Sequence, residues 1–287
     1  MRLDAGRFTA VAYPADAGLA RALLAAAQRN DTFPGLPRPK AHVLLAVAPD
    51  GRRFREWVGP GAPEWGAAIA FPRQQRIVMH GGRAGSDAGD PVSVLRHELA
   101  HLALHETLGD LPPRWFDEGY AGYAAGEWGR DESLATNVAL LVGGMPSLDS
   151  LESGFEGGSR AAEQSYALAY RAVSDLASLD PDRGLTLFFQ YWKSSGRFDA
   201  AIRSAYGMTA AAYENLWQTR TRRRYGALAL FANLSLGTAL FLVFFFPLWV
   251  ARRRRDRRRL EALREADAAA EKAERESVMA SLLDELD

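Results

Sequence analysis

Apolar and polar positions change their period along the chain. Over the first 80 residues the apolar positions come in short runs. RFTAVAYP (7–14), HVLLAVAP (42–49), GAAIAFP (66–72) and RIVMH (76–80) each predict a strand. Between the first two, Ala17 to Arg29 repeats with the period of an amphipathic helix, and Pro and Gly clusters at 34–39 and 59–63 mark loops. From Asp90 onward the pattern turns helical. Asp90 suits an N-cap and Pro91 the first helical position, so a helix runs to about Thr107, stopped by Gly109 and the Pro112–Pro113 pair. A second helix starts near Arg114, and more are expected around 133–143, 160–178, 183–194 and 209–219. Strands first and helices after predict an α+β fold, with a small mixed N-terminal sheet, a central helix and a helical C-terminal lobe. Residues 1–80 form its α/β part and 81–219 its helical part; no internal repeat is visible.

The pattern changes again at Ala227. The 25 residues to Ala251 carry no charge, and Asn233, Ser235 and Thr238 are their only strongly polar members. At 1.5 Å per residue such a helix crosses a bilayer core of about 30 Å, so 227–251 is expected to be a transmembrane helix in contact with lipid. Residues 252–287 are then a charged, helical tail. In it Leu260, Leu263, Val278, Met279, Leu282, Leu283 and Leu286 fall at helical spacing. This fits a stripe for a partner helix, and equally a solvated helix without one.

Net charge changes the picture only when divided. The chain has 35 Lys+Arg against 35 Asp+Glu; residues 1–226 carry 25 of each and residues 252–287 carry 10 of each. A neutral folded part argues against nucleic acid as a partner. Arg220 and Arg222 to Arg224 precede the apolar run, whereas Arg252 to Arg255 and Arg257 to Arg259 follow it. By the positive-inside rule the tail is cytoplasmic and the folded part extracytoplasmic, in a single-pass arrangement in the cell membrane. Residues 1–30 show no signal-peptide pattern, so this topology implies a longer precursor or a removed leader; if Met1 is the true start, a C-terminal anchor with the folded part left in the cytoplasm is the better reading. With 48 % hydrophobic and 10 % aromatic residues the chain is not a disordered one. The absence of cysteine excludes disulfides, thiolate metal sites and thiol nucleophiles, leaving any transition metal to His and carboxylates.

Candidate chemistry sits in the middle of the helix that starts at Asp90. Residues 97–101 read HELAH, so His97 and His101, four apart, share a helix face and can grip one metal ion. Glu98 lies one step round, placed to take a proton from a metal-activated water without being a ligand. A buried pair of His without a ligand or partner would be costly. RWFDEGYAGY (114–123) offers a third ligand, because a helix, a Pro-Pro turn and an antiparallel helix bring Asp117 or Glu118 back beside the two His. Adjacent helical residues point about 100° apart, so only one of the two faces the metal. His105 continues the row but lies a full turn beyond His101, which makes it a supporting or structural residue. His42 and His80 are non-ligand residues near strand ends.

HELAH followed by PPRWFDEGYAGY resembles the gluzincin metallopeptidases, in particular the peptidase MA-like group with its HExxH, short spacer and W-[LF]-x-EG. The likeness extends over roughly residues 60–220, through PEWGAAIAFPRQQRIVMHG and SYALAYRAVSDL. It implies a zincin-like fold and one zinc ion per chain. It also implies Glu118, not Asp117, as third ligand, Gly119 as a point of close helix packing, and Trp115 and Phe116 in the core. One departure stands out. Where the group supplies a Tyr to stabilise the oxyanion, this chain has Ala162, so either the metal alone polarises the carbonyl or Tyr166 or Tyr170 substitutes.

The expectation is a membrane-anchored zinc metallopeptidase acting on a peptide or protein substrate, with Glu98 as general base. The strand at residues 66–71 is the candidate for pairing with extended peptide. The alternative is a non-catalytic, membrane-anchored, zinc-stabilised peptide- or protein-binding domain. An intact Glu98 argues against it, since a purely structural site has no need of that carboxylate.

Overall fold

The computed structural model describes residues 1–59, 67–82, 89–127, 145–157 and 159–225, with eight more scattered between 242 and 253. The chain divides into two compact units, 1–229 and 230–287. The first is a mixed α+β structure with a small sheet and a mostly helical body.

Five strands form the sheet: β1 (Arg2–Ala5), β2 (Phe8–Ala12), β3 (Val43–Ala48), β4 (Ala68–Phe71) and β5 (Arg76–His80), in the order β1-β2-β3-β5-β4. The central pairs β2–β3 and β3–β5 are parallel, while the outer pairs β1–β2 and β4–β5 are antiparallel. Mixed pairing follows from the connections. Helix α1 (Ala17–Arg29) links β2 to β3 and helix α2 (Gly51–Val58) lies between β3 and β4, whereas the outer strands join their neighbours through short turns.

Strand parity divides the core. Ile77 and Met79 join the main cluster with Leu23, Leu95 and Leu99, while Val78 turns to the other face, against Phe54 and Ala48. The sheet thus has α1 and the long helix α3 (Pro91–Leu108) on one face and α2 on the other.

The helical body follows as α4 (Arg114–Ala125), α5 (Leu151–Phe155), α6 (Ser159–Ala177), α7 (Thr186–Ser195), α8 (Phe198–Tyr206) and α9 (210–225). Helix α3 starts as its sequence suggests, with the Asp90 carboxylate accepting from the Ser93 N–H at 2.9 Å and Pro91 in the first turn. Phe116 is fully buried and anchors α4 to α7 and α8 through ring contacts with Phe188, Phe189, Trp192 and Phe198. Trp115 is buried beside it.

Several elements escape the sequence pattern. Strand β1 reads RLDA, too short and polar to announce itself, and it forms through a tight turn at Gly6 (φ 58°). Helix α2 buries only Phe54, so its apolar signal is one residue deep. Helices α5 and α8 are five and nine residues long and were not foreseen. The helix expected at 133–143 lies outside the described residues.

Helix α4 also presses on α6. A Cβ built at Gly119 would run into the Ala169 carbonyl oxygen and stand 2.6 Å from its carbon, far inside van der Waals contact. Alanine in a helix interior normally stabilises by about 1 kcal/mol over glycine. Here the sign should reverse: Gly119→Ala is expected to lose about 1–3 kcal/mol in chemical denaturation, because backbone cannot yield as a side chain can. A stabilised Gly119→Ala protein would show that the two helices are not in backbone contact.

Of the second unit, the described residues between 242 and 253 are helical. Leu242, Val243, Phe245, Phe246 and Trp249 are exposed, with Phe246 stacked on Trp249 at 5.9 Å between centroids. Among the described residues no helix is long and apolar enough to cross a membrane, and most of the apolar run 227–251 lies outside them.

Candidate metal and active site

Helices α3 and α4 are joined by a short turn through Gly109 and Pro112–Pro113 and pack closely against each other. This brings HELAH of α3 opposite Asp117 and Glu118 of α4. The Glu118 Oε2 lies 3.6 Å from His97 Nε2 and 3.5 Å from His101 Nε2. One ligand atom from each of the three residues falls within 4.8 Å of the others, so the group can hold a metal ion. A tetrahedral ion with bonds of about 2.0–2.1 Å separates its ligand atoms by about 3.4 Å, close to what the carboxylate already shows. Two imidazoles, one carboxylate and no thiolate make a donor set suited to zinc.

The other ring nitrogens are occupied too. His101 Nδ1 pairs with Asp117 Oδ1 at 2.6 Å, and the second oxygen of Asp117 lies 2.9 Å from His105 Nε2. His97 Nδ1 pairs with Glu127 Oε1 at 3.0 Å. Each Nε2 is thereby turned inward by a carboxylate behind the ring, an arrangement that fixes tautomer and orientation. Asp117 is therefore behind the His pair, not beside Glu118 among the converging groups. His105 is its second partner, which accounts for the third histidine of the row.

Burial and charge act in opposite directions on these groups. Burial alone would lower the His97 pKa, but Glu118 and Glu127 outweigh it and lift it to about 10. His101 is likewise held well above its ordinary value against burial, chiefly by Asp117. Burial would raise both carboxyls, yet the imidazoles hold Asp117 far below the usual range and Glu118 down to about 2. Glu98 differs. Its burial dominates and raises its pKa, opposed by the two imidazoles. A carboxyl raised in this way is more basic when ionised, as proton transfer requires.

A cavity of about 560 Å³ opens on this group, lined by Glu98, the His and acidic residues, the β4 backbone and Tyr166. Strand β4 is one of the sheet's two edge strands. The bond from His80 N–H to Ala67 C=O, with the Ile69–Val78 register, directs Ala68 and Ala70 outward from β5. Tyr166 of α6 enters the cavity, its ring edge-on to Phe155 at 5.1 Å. Burial together with the nearby Glu118 raises its pKa, keeping the phenol protonated. Tyr170, one turn on, lies against Tyr123 at 6.2 Å and is not among the described lining residues. Ala162 is buried.

The sequence singled out His97, Glu98, His101, Glu118 and Tyr166, and these five converge on the cavity. Glu127 was missed, though it stands just past Gly126, the residue that ends α4. An acid immediately beyond the cap of the ligand-bearing helix was the signal available.

An α+β fold with HExxH on one helix and a carboxylate returned by the next belongs to the metallopeptidase-like class. The sequence profile of the Peptidase MA superfamily matches residues 61–222, more than half of the chain, and the chain belongs to that superfamily. Membership of this typically zinc-dependent superfamily points to peptidase activity. No curated protein matches the chain.

Proposed function

We propose that the chain is a membrane-anchored zinc metallopeptidase, with His97, His101 and Glu118 as metal ligands and Glu98 as general base. The observation that carries this reading is the convergence of the two Nε2 atoms and Glu118 Oε2 in a cavity that also holds Glu98. Zinc bound there supplies a Lewis acid that activates water near neutral pH and polarises a carbonyl.

The chain's own residues supply the rest. Glu98 takes the proton of the attacking water and passes it to the leaving amine; burial makes it basic enough to do so. Tyr166 substitutes for the Tyr absent at position 162, offering a protonated phenol to the charge that develops on the carbonyl oxygen. Ala68 and Ala70 present the backbone of β4 to an extended peptide, as β-augmentation requires. Residues 227–251 anchor the enzyme in the bilayer. The exposed Leu242, Val243, Phe245, Phe246 and Trp249 support that anchor, since so large an exposed apolar set is unusual for a face in water. In this reading the catalytic unit is extracytoplasmic and the tail cytoplasmic, an orientation that the larger arginine count after the span supports.

Metal analysis of the purified chain tests the centre. One zinc per chain is expected, with peptide-library cleavage lost on chelation and restored by zinc. His97 and His101 hold protons well above neutrality in the metal-free chain, so zinc uptake should release protons and tighten as pH rises. Stoichiometric zinc with no cleavage across a broad library would select the binding-domain alternative. Cleavage that survives complete zinc removal would overturn the metal mechanism.

A further inference from the structure

Arg114 carries the only guanidinium or ammonium group among the described residues that line the cavity. Three of the four carboxylates that line the cavity are already engaged: Glu118 faces both imidazoles, Asp117 bonds His101 and His105, and Glu127 bonds His97. Among the described residues Arg114 has no carboxylate at hydrogen-bond distance: the nearest pairing is its Nε with Glu118 Oε1 at 3.9 Å. Its guanidinium carbon lies 5.1 Å from the Phe155 ring centroid, and Tyr166 lines the same cavity. The side chain is 44 % exposed, open to the cavity mouth.

We propose that Arg114 receives a carboxylate of the bound peptide, so that the site selects substrates carrying a free C-terminus or an acidic side chain near the scissile bond. This rests on the peptidase reading above. Glu118 turns Oε2 to the imidazoles and Oε1 to Arg114, so the guanidinium stands behind the ligand, not over the metal position. A group held there lies to the side of the reacting carbonyl, not at it. The Phe155 face supports the planar fork. A guanidinium fixed in this way loses little further freedom on taking a carboxylate through two parallel bonds. The same contact draws the peptide against Tyr166.

The test uses the full zinc-loaded chain with Glu98→Gln, so that bound peptide persists. Fluorescein-labelled alanine pentapeptides are compared by anisotropy as the free acid, the C-terminal amide, and the amide with Glu in the fourth position. The free acid, the Glu-bearing amide or both should bind about 10- to 100-fold tighter than the plain amide, the range of a charged hydrogen-bonded pair. Which of the two does so names the source of the carboxylate. Arg114→Gln should erase the preference without weakening the plain amide or zinc content, and Arg114→Lys should keep part of it. Equal binding of all three peptides, or a preference that survives Arg114→Gln, overturns the assignment. If the preference is present but the chain with Glu98 intact cleaves none of these peptides or a wider library, the Arg114 assignment stands and the peptidase reading falls.

Discussion

Glu98→Gln is expected to keep one zinc per chain and the fold, yet to lose about 10³-fold in peptide turnover. Glutamine has nearly the same shape and fits the same buried position. It has no basicity, so acceptance of the water proton and its delivery to the leaving amine vanish together. General acid–base groups contribute about 10²- to 10⁴-fold, and here one side chain performs both transfers. Single-turnover rates with a cleaved library peptide, alongside metal content and a circular-dichroism spectrum, separate this from misfolding. Turnover within a few-fold of the parent would mean that another group moves the proton.

The second large effect separates two neighbouring carboxylates. Glu118→Ala is expected to abolish stoichiometric zinc, because it leaves two imidazoles and an open position. Asp117→Ala and Glu127→Ala should each retain zinc with affinity reduced about 10- to 100-fold, the usual cost of losing a carboxylate behind a ligating imidazole. Competition with a chromophoric chelator measures all three. The geometry explains the ranking: Glu118 reaches the Nε2 side of both rings, while Asp117 and Glu127 reach Nδ1. A reversed order of Glu118 and Asp117 would mean that α4 is rotated by about 100°, one residue's step.

The centre was legible in sequence because its chemistry is local. His97, Glu98 and His101 occupy five consecutive residues of one helix, where spacing alone fixes which groups share a face. Glu118 was reached through the turn geometry and the family resemblance, and the rotation of α4 that selects it depends on Phe116 packing among the rings of α7 and α8. Tyr166 and Tyr170 could not be told apart in sequence. Both lie on α6, and only the packing of Phe155 on one side and Tyr123 on the other separates them. Glu127 and Arg114 left no periodic trace, because each acts from the end of a helix. Within the fold, strands with continuous apolar runs were found, whereas β1 and α2 were not. Their stability comes from a neighbour's edge and one buried phenylalanine, neither of which leaves a repeating pattern.

The contact of Gly119 with Ala169 bears on how the cavity can change. Glu118 precedes that glycine by one residue, and Tyr166 stands three residues before Ala169, so opposite walls of the cleft are carried by two main chains that touch. No layer of side chains lies at this crossing to be trimmed or enlarged. Substitutions elsewhere along the cleft can alter what it recognises, but its width at this point is set by peptide geometry. Diversification of substrate choice in this scaffold is therefore channelled toward the rim, where Arg114 stands, and away from the spacing between metal ligand and phenol.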